Sequence, residues 1–184
     1  HITKYKLRSL IPALDKDTQL VSVDGVTDGA ACTVLLSESL IDNDSELIIA
    51  NSDQYLSCDL QPFLTSMRNK NADGGILTFI DDNPKWSFAR CDENEKVLEV
   101  AEKNPISHFA TVGIYYFKRG SDFVKYARQM IKKNIKVNNE FYVCPVYNEL
   151  IQDGKIIYKY DIDRMCMHGL GTPEDLSKFL DYIK

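Results

Sequence analysis

The chain has 184 residues, 44% of them apolar and 27% charged, with a formal net charge of -5 and a pI near 5.2. These values fit one folded domain with a sizeable core and exclude a disordered chain. The acidic balance argues against a nucleic-acid surface as the main partner, and no apolar run reaches the roughly 20 residues that a membrane span needs.

No signal-peptide pattern opens the chain, so a cytoplasmic protein is expected. Cys32, Cys58, Cys91, Cys144 and Cys166 are scattered without a C-x-x-C pair. That argues against a zinc site or a disulfide framework and for reduced thiols packed as small apolar groups. The sequence opens at His1 in what reads as a helix already under way. Its nine glycines form neither G-x-G-x-x-G nor G-x-x-x-x-G-K-[ST], so the usual phosphate cradles are absent from it.

Residues 19–23 read as a short strand. Thr27 or Asp28 suits the start of a helix carrying Ala31, Val34, Leu35 and Ile41 on one face. Residues 47–50 form an apolar run of the kind buried on both faces of a parallel sheet, and it ends abruptly in Asn51-Ser52-Asp53-Gln54. Ligands bind beyond the carboxyl ends of such strands, so Asp53 sits where a metal or phosphate contact is expected, although a turn or cap residue is the plainer reading. Asp59 then caps a helix with Leu60, Phe63, Leu64 and Met67 at spacing 0, 3, 4, 7.

A strand over 76–80 follows, then a hairpin from 86–91 and 97–102 around the polar Asp92-Glu93-Asn94-Glu95, then a long strand over 110–117. Phe123, Val124, Ala127, Met130 and Ile131 mark a helix ending near Asn134. Another helix is expected over 141–151 and a late strand over 156–162. The last helix has Thr172 as cap, Pro173 at its first position and Asp175 as capping-box partner, with Leu176, Phe179, Leu180 and Ile183 expected on its buried face. This order predicts a three-layer α/β domain with a mixed sheet. Neither His108 nor His168 stands in a readable nucleophile–base arrangement, and both read as structural. Tyr115, Tyr116, Tyr142 and Tyr147 read as core or pocket-wall positions, and these segments lack the companion basic side chains of a single-stranded nucleic-acid platform.

Six motifs occur in order: Thr27-Asp28-Gly29-Ala30-Ala31, Asn51-Ser52-Asp53-Gln54, Gly74-Gly75-Ile76-Leu77, Glu102-Lys103-Asn104-Pro105, Ala110 to Tyr115, and Gly171-Thr172-Pro173-Glu174-Asp175-Leu176. Through them, from about Thr27 to the C-terminus, the chain resembles the nucleotidyltransferases that make nucleotide-activated sugars from a nucleoside triphosphate and a sugar 1-phosphate. The resemblance implies a nucleotidyltransferase-like (GT-A/Rossmann-like) fold with a mostly parallel sheet. Its relatives often serve bacterial capsule or lipopolysaccharide synthesis, and some transfer a cytidylyl group to non-sugar phosphates.

The resemblance implies site roles too. Asp53 is the Mg²⁺ ligand and a catalytic residue. Glu102 accepts sugar hydroxyls, and Lys103, the second catalytic residue, reaches the acceptor phosphate; a solvated charge pair is the plainer reading of that dipeptide. Thr27 and Gly29 approach the base, where helix capping is the alternative. Gly75 and Thr111 line the sugar pocket, against turn and strand-forming roles. Asn138 and Glu140 face the substrate from a helix start, where capping also explains them.

Two departures stand out. Many relatives carry a second metal-binding Asp where this chain has Gly169, with only Glu140 or Asp163 as speculative substitutes. The family's first strand, glycine-rich loop and basic triphosphate residue belong ahead of His1. The resemblance therefore leads us to expect one domain over 1–184 lacking that strand-loop-helix unit, inactive alone and prone to self-association through the uncovered edge. Two other classes stand beside this reading: a glycosyltransferase, which would usually show Asp-x-Asp where Asn51-Ser52-Asp53 stands, and a non-catalytic nucleotide-sugar-binding regulatory domain.

Overall fold

A computed structural model describes residues 2–184. Its centre is β6 (Phe109–Phe117), in which every residue after Phe109 is buried. A strand rich in Val, Ile, Tyr and Phe with apolar side chains toward both faces can only sit between two layers. β3 (Gly74–Ile80) lies along its full length, antiparallel, and β7 (Ile157–Asp161) adds to β3 in parallel. On the other side of β6, β1 (Leu47–Ala50) pairs with 114–117, and the hairpin of β4 (Ser87–Cys91) and β5 (Val97–Glu102) joins at Phe88↔Ala110.

Helices cover both faces. α2 (Ala30–Leu35), α5 (Gly120–Lys132) and α6 (Val146–Gln152) pack over one core, in which Phe117 stacks on Tyr147 and meets Phe123 edge to face. α4 (Gln61–Asn69) presses Phe63, Leu64 and Met67 onto the other, against Leu77, Phe79 and Tyr116. The N-cap of α4 is Leu60 rather than the expected Asp59, which stands one residue further out with its Oδ1 accepting from the Gln61 N–H at 2.9 Å. Three layers result, as expected.

Several expectations are corrected. The sheet is mostly antiparallel: among the described residues only β3 and β7 run parallel. The short links around the β4–β5 hairpin leave no room for the long crossovers that parallel neighbours need. β1 is not buried on both faces. Ile49 is 8% exposed but Ile48 is 42% exposed, and β1 has a strand neighbour only on the β6 side among the described residues.

Residues 19–23 form no strand, having no ladder to join. The single helix expected after Thr27 is two, α2 and α3 (Glu38–Ile41). The helix expected from Phe141 begins only at Val146, because the Phe141 backbone is committed elsewhere: its N–H donates to Asp28 O at 2.7 Å and its carbonyl accepts from Ala31 N at 2.9 Å.

α7 (Pro173–Tyr182) has its Thr172 cap, with the Asp175 N–H donating to Thr172 Oγ1 at 3.1 Å. Its apolar stripe is not buried, however. Leu176, Leu180 and Ile183 remain 44–56% exposed, while Phe179 packs on Tyr55 and His168 of the small ribbon made by β2 (Gln54–Leu56) and β8 (Met167–Gly169). Periodicity shows that a stripe exists, not that a partner covers it.

Gly75 lies under α4. A Cβ there would fall 2.3 Å from Met67 Sδ and 3.1 Å from the Phe63 ring. Gly75→Ala is therefore expected to lower unfolding free energy by about 1–3 kcal/mol through overpacking, measured by urea denaturation. An unchanged midpoint would contradict this packing.

Candidate functional site

Where β1 ends beside the middle of β6, the chain opens a cavity of about 680 Å³. Its geometry follows from one glycine. Gly113 takes φ 85°, in the left-handed region, and its carbonyl accepts from the Asn51 N–H at 2.9 Å. A Cβ there would lie 2.6 Å from Asn51 Nδ2, so only glycine lets the Asn51 side chain cross β6. The turn beyond Asn51 then carries Asp53 into the cavity wall.

Asp53 is tied down by its backbone, its carbonyl accepting from Leu170 N at 2.7 Å. Its carboxylate has no hydrogen-bond or ion-pair partner among the described residues. Gly171 leaves room for it, since a Cβ at that position would meet Asp53 Oδ2 at 2.9 Å. A free carboxylate at a cavity wall fits a hard cation that completes its shell with water and phosphate oxygens. The described residues contain no cluster of three or more metal-ligating side chains. Gly169 also lines the cavity, and the nearest carboxylate to it is Asp175, 3.5 Å from where a Cβ would stand. Neither Glu140 nor Asp163 lines the cavity.

The end of β5 also lines the cavity. Glu102 stands directly across the hairpin from Ser87, whose hydroxyl donates to its carboxylate. Burial pushes the Glu102 carboxyl above its ordinary range, opposed by the Ser87 hydrogen bond and the Lys103 charge, with Glu140 adding to the rise. Lys103 leaves the strand at φ 53°, its N–H held by Trp86 O at 3.0 Å. Its ammonium donates to Tyr142 Oη at 2.7 Å, and that bond is the main reason its pKa is raised. Thr111 forms the floor, buried, sharing a 3.2 Å hydrogen bond with Tyr115 Oη.

Asp53, Glu102, Lys103 and Thr111 therefore meet in one cavity. Thr27 and Gly29 stand behind its rim, where Ala30 and Thr33 are the lining residues. Thr27 Oγ1 bonds Thr33 Oγ1 at 2.6 Å, and Gly29, at φ 115°, lets its loop close onto the Phe141 backbone. Asn138 and Glu140 do not open a helix. They form a tight turn in which the Val137 and Glu140 backbones bond each other, with Asn138 left-handed at φ 48°, and neither lines the cavity. Gly75 is away from it in the core.

Sequence reading missed Ser87, Trp86, Gln54 and Asp175 as lining residues, while Tyr142, read as a core or pocket-wall position, does line the cavity. Ser87 was recoverable, since a hairpin closing on 92–96 puts it opposite Glu102. The contact between Tyr142 and Lys103 was not, because nothing local links that tyrosine to a lysine 39 residues away.

The profile of the nucleotidyl transferase family matches residues 5–181. The chain belongs to that family. No curated protein matches it. Among solved structures, a nucleoside-diphosphate-sugar pyrophosphorylase from Vibrio cholerae RC9 is similar at 28% identity and a TM-score of 0.84, over 98% of this chain and 77% of that one. A Bacillus anthracis protein described as a glucose-1-phosphate thymidylyltransferase, crystallised with sucrose, shares the fold at 18% identity and a TM-score of 0.74, over 95% of this chain and 69% of that one. This nucleotidyl transferase has no helix among its described residues long and apolar enough to cross a membrane.

The buried Glu102 gives a stability signature. An acid whose pKa is higher in the folded protein than in the unfolded chain favours folding below the unfolded-chain range, and that contribution is lost as pH rises through the folded value. Glu102→Gln, which keeps an oxygen for Ser87, is therefore expected to raise the melting temperature at pH 7 relative to the parent and to lose that advantage near pH 4. Equal differences at both pH values would contradict the assignment.

Proposed function

We propose that this domain transfers a nucleoside monophosphate from a nucleoside triphosphate to a sugar 1-phosphate, or a similar phosphorylated small molecule, with release of pyrophosphate. We place it in the cytoplasmic synthesis of bacterial surface-polysaccharide precursors. The observation that carries the reading is one cavity lined both by an unpaired carboxylate, Asp53, and by an acid–lysine pair, Glu102 and Lys103. The names of the similar Vibrio and Bacillus proteins point the same way.

In this reading an oxygen of the acceptor phosphate attacks the α-phosphorus in line and pyrophosphate leaves, so the protein positions reactants and offsets charge. Asp53 would hold Mg²⁺, which would supply neutralisation of phosphate charge. Lys103 binds the acceptor phosphate as a point charge. Glu102 and Thr111 accept and donate to acceptor hydroxyls, with Glu102 fixed by Ser87. Ala30 and Thr33 form the nucleotide side, shaped by Thr27 and Gly29.

The single-domain reading of 1–184, with a further strand-loop-helix unit for the triphosphate, belongs to this proposal. Its support is the free edge of β1 and the apolar groove beside it, walled by Val21, Val23 and Ile48. A second copy pairing through that edge would appear as a dimer in light scattering.

Pyrophosphate release over a panel of triphosphates and sugar 1-phosphates tests the activity, and no release with any pair from the protein extended upstream by about 45 residues would overturn it. Asp53→Asn is expected to cut turnover by roughly two to three orders of magnitude while leaving the circular dichroism spectrum unchanged. Lys103→Ala is expected to weaken the phosphorylated acceptor about 10- to 150-fold and the triphosphate little. Equal losses for both substrates would assign Lys103 a structural role.

A further inference from the structure

The contact between Lys103 and Tyr142 asks for an explanation that acceptor binding alone does not give. A lysine on a four-carbon stem at a cavity wall normally samples many rotamers, and ordering it on a ligand carries an entropic cost. Here the ammonium is already fixed. It donates to Tyr142 Oη at 2.7 Å and lies 4.9 Å from the centre of the same ring. An ammonium has three N–H donors, so two stay available to a phosphate.

Tyr142 can hold the lysine because it is itself held. Its neighbours Phe141 and Val143 are buried, and the Phe141 backbone is bonded on both sides to the loop from Asp28 to Ala31. Lys136 adds an ion pair to Asp28 at 3.0 Å and a ring contact to Phe141 at 4.6 Å. The lysine end is equally constrained, with the Lys103 backbone in the left-handed region and its N–H bonded to Trp86 O. Two rigid supports from distant parts of the chain thus converge on one ammonium.

We propose that Tyr142 is a positioning residue which pre-orders Lys103 for the phosphate of the acceptor, acting through the lysine. This rests on the reading of Lys103 given under the proposed function. Because Phe141 is bonded to the loop on the nucleotide side, the same segment links the two halves of the cavity.

The test uses inorganic phosphate as probe, titrated by calorimetry into the parent chain, Tyr142→Phe and Lys103→Ala. Phenylalanine keeps the ring and its packing and removes only the hydroxyl, and matching thermal melts for the parent and Tyr142→Phe check that the fold is unchanged. Tyr142→Phe is expected to weaken phosphate about three- to tenfold, the value of one ordinary hydrogen bond, and Lys103→Ala to weaken it further. In the active protein, Tyr142→Phe should raise KM for the sugar phosphate with kcat and the triphosphate KM nearly unchanged. Weakening by Lys103→Ala but not by Tyr142→Phe would overturn the positioning role and leave the acceptor site standing. No effect of Lys103→Ala, or no saturable phosphate binding by the parent chain, would overturn the acceptor-site reading itself. An equal fall in kcat and in affinity for both substrates would assign Tyr142 to structure.

Discussion

Everything in this molecule depends on β6 being buried on both faces. Its apolar side chains divide the interior into two cores, one under α5 and α6 and one under α4. A strand so placed must satisfy its backbone along both edges, and it does so with β3 on one side and with β1 and β4 in succession on the other. Where β1 ends and before β4 takes over, the ladder is interrupted at Gly113. The cavity opens there, so the site results from how β6 changes neighbours.

That origin explains the division of labour around the cavity. The turn after β1 brings Asp53, the end of β5 brings Glu102 and Lys103, and β6 itself provides Thr111 as floor. The groups stand on strand ends set by a rigid sheet, as precise positioning of a phosphate and its partner requires. Tyr142 arrives from the connection ahead of α6, a segment that is ordered because its backbone bonds to the loop before α2.

Much of the fold was legible in the sequence because its signals are local. Phe63, Leu64 and Met67 announce α4, the polar 92–95 turn announces the hairpin, and Thr172-Pro173 announces α7. What was not legible depends on partners. Strand direction was misjudged because an apolar run reads alike in parallel and antiparallel sheets. Residues 19–23 and the stripe of α7 were misjudged because pattern does not reveal whether a neighbour is present. In the site, Asp53, Glu102, Lys103 and Thr111 were marked by their motifs and do meet. Gly75 was marked by the same route and lies in the core, since a glycine near a strand start serves close packing as readily as a ligand. Ser87 and the link from Tyr142 to Lys103 escaped notice because both depend on contacts made across the fold.

The central claim is that Asp53 and Lys103 serve one pair of substrates bound in the same cavity. Diffraction from crystals grown with Mn²⁺ in place of Mg²⁺ and a sugar 1-phosphate tests it most directly, because the anomalous signal locates the metal independently of any assumption about the ligand. The account predicts a manganese peak about 2.1 Å from an Asp53 carboxylate oxygen and acceptor phosphate density within hydrogen-bonding distance of Lys103. A metal peak elsewhere on the molecule, or a phosphate that leaves Lys103 untouched, would contradict it.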